Sequence, residues 1–170
     1  YFIPQQNAKE ILSQRIDNEK YTILYENQET SMRALDDGGI YGVATISSMA
    51  NSEKRKVALS GQGADEILSD YMLFPRQSEF KGKFPEQLYK WKNFNDSCQY
   101  SYLIKEEYAG GAFNIETRYP FLDRQLVQEF LWLTPQAKNA YYKAPLREYF
   151  RRNNFPFDEN KTKSFENHFI

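Results

Sequence analysis

One stretch of the chain combines residue types that can hold a phosphorylated ligand: Lys56-Val57-Ala58-Leu59-Ser60-Gly61-Gln62-Gly63-Ala64-Asp65-Glu66-Ile67-Leu68. Val57, Ala58 and Leu59 form a short apolar run ahead of turn residues, the pattern of a strand buried on both faces of a parallel sheet. Residues 60–63 predict a tight loop whose glycines, Gly61 and Gly63, take positive φ or let a ligand approach the backbone. Asp65 and Glu66 open a predicted helix, with Ile67, Leu68 and Tyr71 as its apolar contacts. Free backbone N–H groups and a helix dipole at such a junction suit phosphate. A carboxylate beside phosphate repels it unless a divalent cation sits between, so the loop and Asp65 together point to a Mg²⁺–nucleotide site. A plainer reading stays open. Most Gly-x-Gly turns are only turns, and acidic residues in a first turn commonly just complement the dipole.

The elements that must position this loop are legible in outline. Residues 5–20 are polar with Ile11, Leu12 and Ile16 at helical spacing, which predicts a helix with one apolar stripe. Residues 21–25 have strand composition. Asp36-Asp37-Gly38-Gly39 reads as a turn, residues 40–45 as mixed, and a helix is expected over 46–53. Lys54-Arg55-Lys56 reads as solvated surface. Prolines, glycine and mixed charge predict an irregular connection over residues 72–85, pinned by Phe74, Phe80 and Phe84. Residues 88–113 read as mostly helical, and the pair Gly110-Gly111 predicts a helix end or a close backbone approach. Pro120-Phe121-Leu122-Asp123 reads as an extended turn into a helix capped by Asp123. That helix carries Leu126, Val127, Phe130 and Leu131 on one face and stops at Pro135. Glu116 and Arg118, two apart in an extended segment, point the same way. They form an ion pair or line a pocket.

Composition excludes several classes. The chain has 170 residues, enough for one domain with a real core, and 41% are hydrophobic. A net charge of −1 gives no broad attraction to nucleic acid or to a membrane surface. Cys98 is the sole cysteine and His168 the sole histidine, which argues against a disulfide, a cysteine zinc cluster or a Ser-His triad. Cys98 reads as a small buried hydrophobe on a helix. No apolar run reaches the ~18 residues of a transmembrane helix. A reducing, cytoplasmic setting is the expectation.

The loop Ser60-Gly61-Gln62-Gly63-Ala64-Asp65-Glu66 resembles the second signature loop of the asparagine synthetase family, in its ATP-pyrophosphatase domain. Asn114-Ile115-Glu116-Thr117-Arg118-Tyr119-Pro120-Phe121-Leu122-Asp123 resembles that family's Glu-x-Arg-x-Pro-Phe-Leu-Asp motif. Lys143-Ala144-Pro145-Leu146-Arg147-Glu148 resembles its late Lys-x-x-Leu-Arg segment. The motifs follow family order and cover roughly residues 36–165. The resemblance implies an α/β fold: a parallel sheet of the ATP-pyrophosphatase (adenine nucleotide alpha-hydrolase) type, incomplete here, with a helical lobe from Leu88 onward. The loop would sit at the carboxyl end of a strand, where ligands bind in open α/β sheets. It also implies that Ile46 and Met49 are core.

The activity implied is ATP-dependent activation of a carboxylate, aspartate in the family, as an acyl-adenylate that ammonia from glutamine then attacks. Such chemistry needs Mg²⁺ and cationic groups on the departing pyrophosphate, and no protein nucleophile. By position, Ser60, Gly61, Gln62 and Gly63 would contact the adenylate and Asp65 would ligate Mg²⁺. Lys143 would serve catalysis by stabilising the adenylation transition state and the pyrophosphate, and Gln62 would be a second catalytic residue. Lys105 and Glu107 stand where the family carries an Arg/Lys-x-Asp/Asn pattern beside the substrate pocket; a salt-bridged surface is the alternative. Glu116 and Arg118 would brace or wall the pocket. Lys161 and Lys163 resemble the family's late basic segment.

Two family features are absent from these residues: the first signature, Ser-Gly-Gly-x-Asp-Ser, and the N-terminal cysteine of the glutaminase domain. By this resemblance residues 1–170 would correspond to the C-terminal part of the synthetase domain, with half an active site. The chain is expected not to stand alone, either completed by an upstream half or partner chain or held in a larger assembly, because an open sheet edge is unstable without a partner. Non-catalytic descent as a structural subunit, and a related ligase making another amide, are the alternatives.

Overall fold

In the computed structural model, residues 5–16, 22–24, 31–69, 83–88 and 98–157 are described. Expectations for Tyr21, Tyr25, Tyr71, Phe74, Phe80, Lys161, Lys163, His168 and the side chain of Cys98 lie outside them. The described chain is mixed α/β and contains one parallel and one antiparallel strand pair. Helix α1 (Gln5–Ser13) leads to an antiparallel pair, β1 (Thr22–Leu24) and β2 (Ser31–Arg33). Helix α2 (Gly38–Ser52) then feeds β3 (Val57–Leu59), the signature loop and the short α3 (Ala64–Leu68). Helix α4 (Cys98–Gly111) precedes β4 (Glu116–Arg118), which pairs parallel with β3 in the register Val57↔Glu116, Ala58↔Thr117, Leu59↔Arg118. A 3₁₀ turn (Pro120–Leu122) and helices α5 (Arg124–Trp132), α6 (Pro135–Lys138) and α7 (Ala144–Arg152) complete the chain.

Two apolar clusters hold these elements. Leu12, Ile16, Ile40, Ala44, Ala109 and Phe113 belong to the first, which joins α1, α2 and α4 beneath the half-buried Ala58. Ile67, Leu68, Phe84, Val127 and Phe130 form the second, around α3 and α5. Each fully buried Leu, Ile or Phe contributes about 1.5–3 kcal/mol, so the first cluster anchors one side of the strand pair and the second anchors the helix after the loop.

Several expectations are corrected. Val57 and Leu59 are 42% and 74% exposed, so β3 is not buried on both faces. Alternation turns Ala58 onto the first cluster and its neighbours to the other face, which no described element covers. The glycine pair at 38–39 is not a separate turn. It opens α2, with Asp37 as N-cap accepting from Gly39 N at 2.8 Å. The buried stripe of α2 runs through Ile40, Tyr41, Ala44 and Ser47, spaced at three and four. Ile46 and Met49 fall off that stripe and are exposed. Pro120 starts a 3₁₀ turn where extended backbone was expected. Pro135 occupies the first turn of α6, its tolerated position; α5 has already ended at Trp132.

Other expectations hold. Asp123 caps α5, accepting from Gln125 N at 2.9 Å and Leu126 N at 3.2 Å. Gly110 marks a close approach, to β4: a Cβ there would stand 2.9 Å from Thr117 Oγ1. Gly63 has φ +92°, and a Cβ on it would lie 2.7 Å from Leu122 Cγ. Gly63→Ala should therefore cost roughly 2–4 kcal/mol, the left-handed penalty plus overpacking. Gly61→Ala meets nothing within 4 Å and should change stability by under about 0.5 kcal/mol. Urea unfolding of both variants checks the contrast; equal midpoints would contradict it.

Candidate functional site

The loop leaves β3 under tight control. Ser60 N donates to Arg118 O at 2.8 Å, extending the parallel ladder by one bond. Ser60 Oγ accepts from Gln62 N at 3.1 Å, and Gly63 N donates to Glu66 Oε2 at 3.1 Å. Glu66 is 1% exposed and closes the capping box of α3. The amides of Ser60, Gln62 and Gly63 are thus satisfied within the protein, contrary to the expected row of free N–H groups. With only five residues, α3 also brings a weak dipole. What remains at the loop is open space over Gly61 and the side chains of Ser60 and Gln62.

A second chain segment reaches the same place. Lys143 directly precedes α7, with φ 52° and ψ 40°, so it caps the helix and does not sit inside its first turn. Its Nζ forms an ion pair with Asp65 Oδ1. Tyr142 donates from its hydroxyl to the same oxygen at 3.1 Å, and Lys143 Nζ stands 5.3 Å above the Tyr142 ring. Burial, and then the charge of Asp65, push the Tyr142 phenol up to about 12, so it remains a donor at neutral pH. A lysine in left-handed backbone is strained by about 1–2 kcal/mol, a distortion of the kind found at working sites.

Glu116 and Arg118 pair with each other at 2.7 Å on an exposed surface. Arg118 holds the Glu116 carboxyl below its usual range. Glu107 accepts from Tyr119 Oη at 2.9 Å; burial, then this carboxylate, raise the Tyr119 pKa. Lys105 is held by Asp37 at 3.1 Å, largely buried. None of Glu107, Glu116 and Arg118 bonds to Asp65 or Lys143 among the described residues. The structure brings Asp65 and Lys143 together at the loop, and leaves Glu116 and Arg118 paired to each other and Glu107 bonded to Tyr119.

Sequence reasoning missed Tyr142, Gln99 and Glu106, and read Glu66 only as an acidic residue opening the helix. Tyr142 adjoins a named lysine and Glu66 adjoins Asp65, which was the available signal. Gln99 and Glu106 gave none, because only the packing of α4 brings them under the loop.

Among the described residues, no three His, Cys, Asp or Glu side chains gather into a metal cage. Asp65 is a single carboxylate. That donor set fits Mg²⁺ arriving with substrate phosphates, an ion usually held by one or two carboxylates. No helix among the described residues is long and apolar enough to cross a membrane.

Comparison with known proteins adds to the motifs. Asparagine synthetase [glutamine-hydrolyzing] of Brassica oleracea is 29% identical over 86 residues, covering 49% of this chain and 14% of that protein. Asparagine synthetase [glutamine-hydrolyzing] 1 of Arabidopsis thaliana is 34% identical over 84 residues, with the same coverages. The human asparagine synthetase [glutamine-hydrolyzing] is 26% identical over 174 residues, covering 89% of this chain and 29% of the relative. The chain therefore matches well under two thirds of the length of these relatives. No protein-family profile matches it, and no solved structure does. Motif order and these similarities relate the chain to the asparagine synthetase family.

Proposed function

We propose that this chain is part of an ATP-dependent amide-forming ligase, with aspartate as the carboxylate and glutamine-derived ammonia as the amine. The carrying observation is the meeting of Asp65 and Lys143, 78 positions apart, at the mouth of the signature loop. In the proposed reaction an aspartate side-chain carboxylate oxygen attacks the α-phosphorus of ATP and pyrophosphate leaves. Ammonia then attacks the acyl carbon, and AMP leaves carrying that oxygen. Lys143 would bear the negative charge gathering on the α-phosphoryl and departing pyrophosphate. Asp65 would hold Mg²⁺, which neutralises phosphate charge when bound. Gly61 gives the nucleotide room to approach the backbone, and Ser60 and Gln62 supply polar contacts. We place the chain within an ATP-pyrophosphatase-type synthetase domain, with the rest of the site supplied by other segments or chains.

The exposed Leu59, Ile46 and Trp132, at 74%, 66% and 70%, favour a covering partner. They support a second reading, a non-catalytic subunit of a larger assembly. Exchange of labelled pyrophosphate into ATP by the full-length protein separates the two. The ligase reading expects aspartate-dependent exchange; none would leave the subunit reading.

A further inference from the structure

The face of α4 turned toward the loop is polar and poorly satisfied. Gln99 and Glu106 lie seven residues apart, hence about two turns along one helix face. Gln99 is 3% exposed, and neither end of its amide has a hydrogen-bond partner among the described residues. Its Oε1 lies 3.5 Å from where a Cβ on Gly63 would stand. Glu106 is 8% exposed, and its Oε2 likewise has no partner among the described residues. The polar side chains of Ser60 and Gln62 lie near the Glu106 carboxyl and favour its charged form. One helix face thus underlies the loop from Ser60 to Gly63. An apolar side chain would pack there at lower cost, since a buried carboxyl with an unmet oxygen lowers stability.

We propose that Glu106 is a positioning residue: its buried carboxyl, with an unmet oxygen beside the side chains of Ser60 and Gln62, orients them and so sets the loop's hold on nucleotide. This rests on the nucleotide reading above. Glu106 would not touch the reacting atoms; it acts through the two loop side chains. Its charged neighbours on α4 are Lys105, which is paired to Asp37, and Glu107, which is bonded to Tyr119 of the segment after β4. Burial outweighs the favourable influence of Ser60, Gln62 and the Lys105 charge, and raises the Glu106 carboxyl above the usual glutamate range. A group that binds its proton more tightly when folded favours the fold at acid pH. That contribution fades as pH rises through the raised pKa.

The test compares full-length wild type, Glu106→Met and Glu106→Gln for MgATP affinity by calorimetry and for thermal midpoint across pH. Glu106→Met should weaken MgATP roughly tenfold while holding or raising the midpoint and flattening its fall with pH. Glu106→Gln keeps an acceptor for Ser60 and Gln62 and should bind within about twofold of wild type. The inference is overturned if Glu106→Met binds as well as wild type, or if its affinity and midpoint fall together as for a purely structural residue. It is also overturned if Glu106→Gln loses as much as Glu106→Met. A wild type that does not bind MgATP defeats the nucleotide reading itself and this inference with it.

Discussion

Lys143→Ala in the full-length protein is expected to abolish aspartate-dependent pyrophosphate exchange, with a loss of at least about 10²-fold. The size follows from the role. Removing one preorganised donor aimed at transition-state charge costs about 2.7–4 kcal/mol. The fold should scarcely notice. The Lys143–Asp65 pair is partly open to solvent, at 22% and 31% exposure, and such pairs contribute under about 1 kcal/mol. Alanine inherits the same left-handed backbone, so that strain does not change sign. A large activity loss at a nearly unchanged urea midpoint is the predicted signature. Retained exchange would remove Lys143 from the chemistry, and a collapse of the midpoint would make its role structural.

Asp65→Asn should be nearly as damaging for a different reason. Asparagine keeps the shape and can still accept the Tyr142 hydroxyl that now donates to Oδ1 at 3.1 Å. It removes the charge that Lys143 pairs with and that Mg²⁺ would need. Exchange should fall by on the order of 10²-fold or more, and raising Mg²⁺ should restore only part of it. The two variants differ in a useful way. Lys143→Ala should leave the Mg²⁺ dependence of MgATP binding intact, whereas Asp65→Asn should shift it to higher Mg²⁺. If Asp65→Asn retains wild-type exchange with unshifted Mg²⁺ dependence, its assignment fails.

What was legible in the sequence, and what was not, divides by range. Local chemistry read well. The Val57–Leu59 strand, the helix begun by Asp65, the Asp123 cap and the close approach at Gly110 follow from residue types acting on their own neighbourhood. Burial was harder. Val57, Leu59, Ile46 and Met49 were expected inside and are exposed, because an apolar side chain is buried only if another element covers its face. The sequence of one segment does not say which face that will be. The Gly38-Gly39 pair misled because Asp37 caps a helix there, and the cap overrides the turn tendency of glycine.

The site divides in the same way. Motif order placed Ser60–Gly63, Asp65 and Lys143 on the list of site residues, yet their meeting is a tertiary fact carried by α7 closing against α3. The expectation of free loop amides failed because Arg118, Ser60 and Glu66 already accept from them. Glu106 and Gln99 had no local signal at all.

The central claim is that a carboxylate is activated by adenylation at this loop. The most direct measurement supplies the full-length protein with MgATP, ammonia and aspartate labelled with oxygen-18 in its side-chain carboxylate, and then reads the nucleotide and phosphate products by mass spectrometry. Attack of that carboxylate on the α-phosphorus requires one labelled oxygen to leave in AMP. Labelled AMP formed together with asparagine is the predicted result. Label appearing in inorganic phosphate beside ADP, or ATP consumed with no transfer of label, would contradict the account.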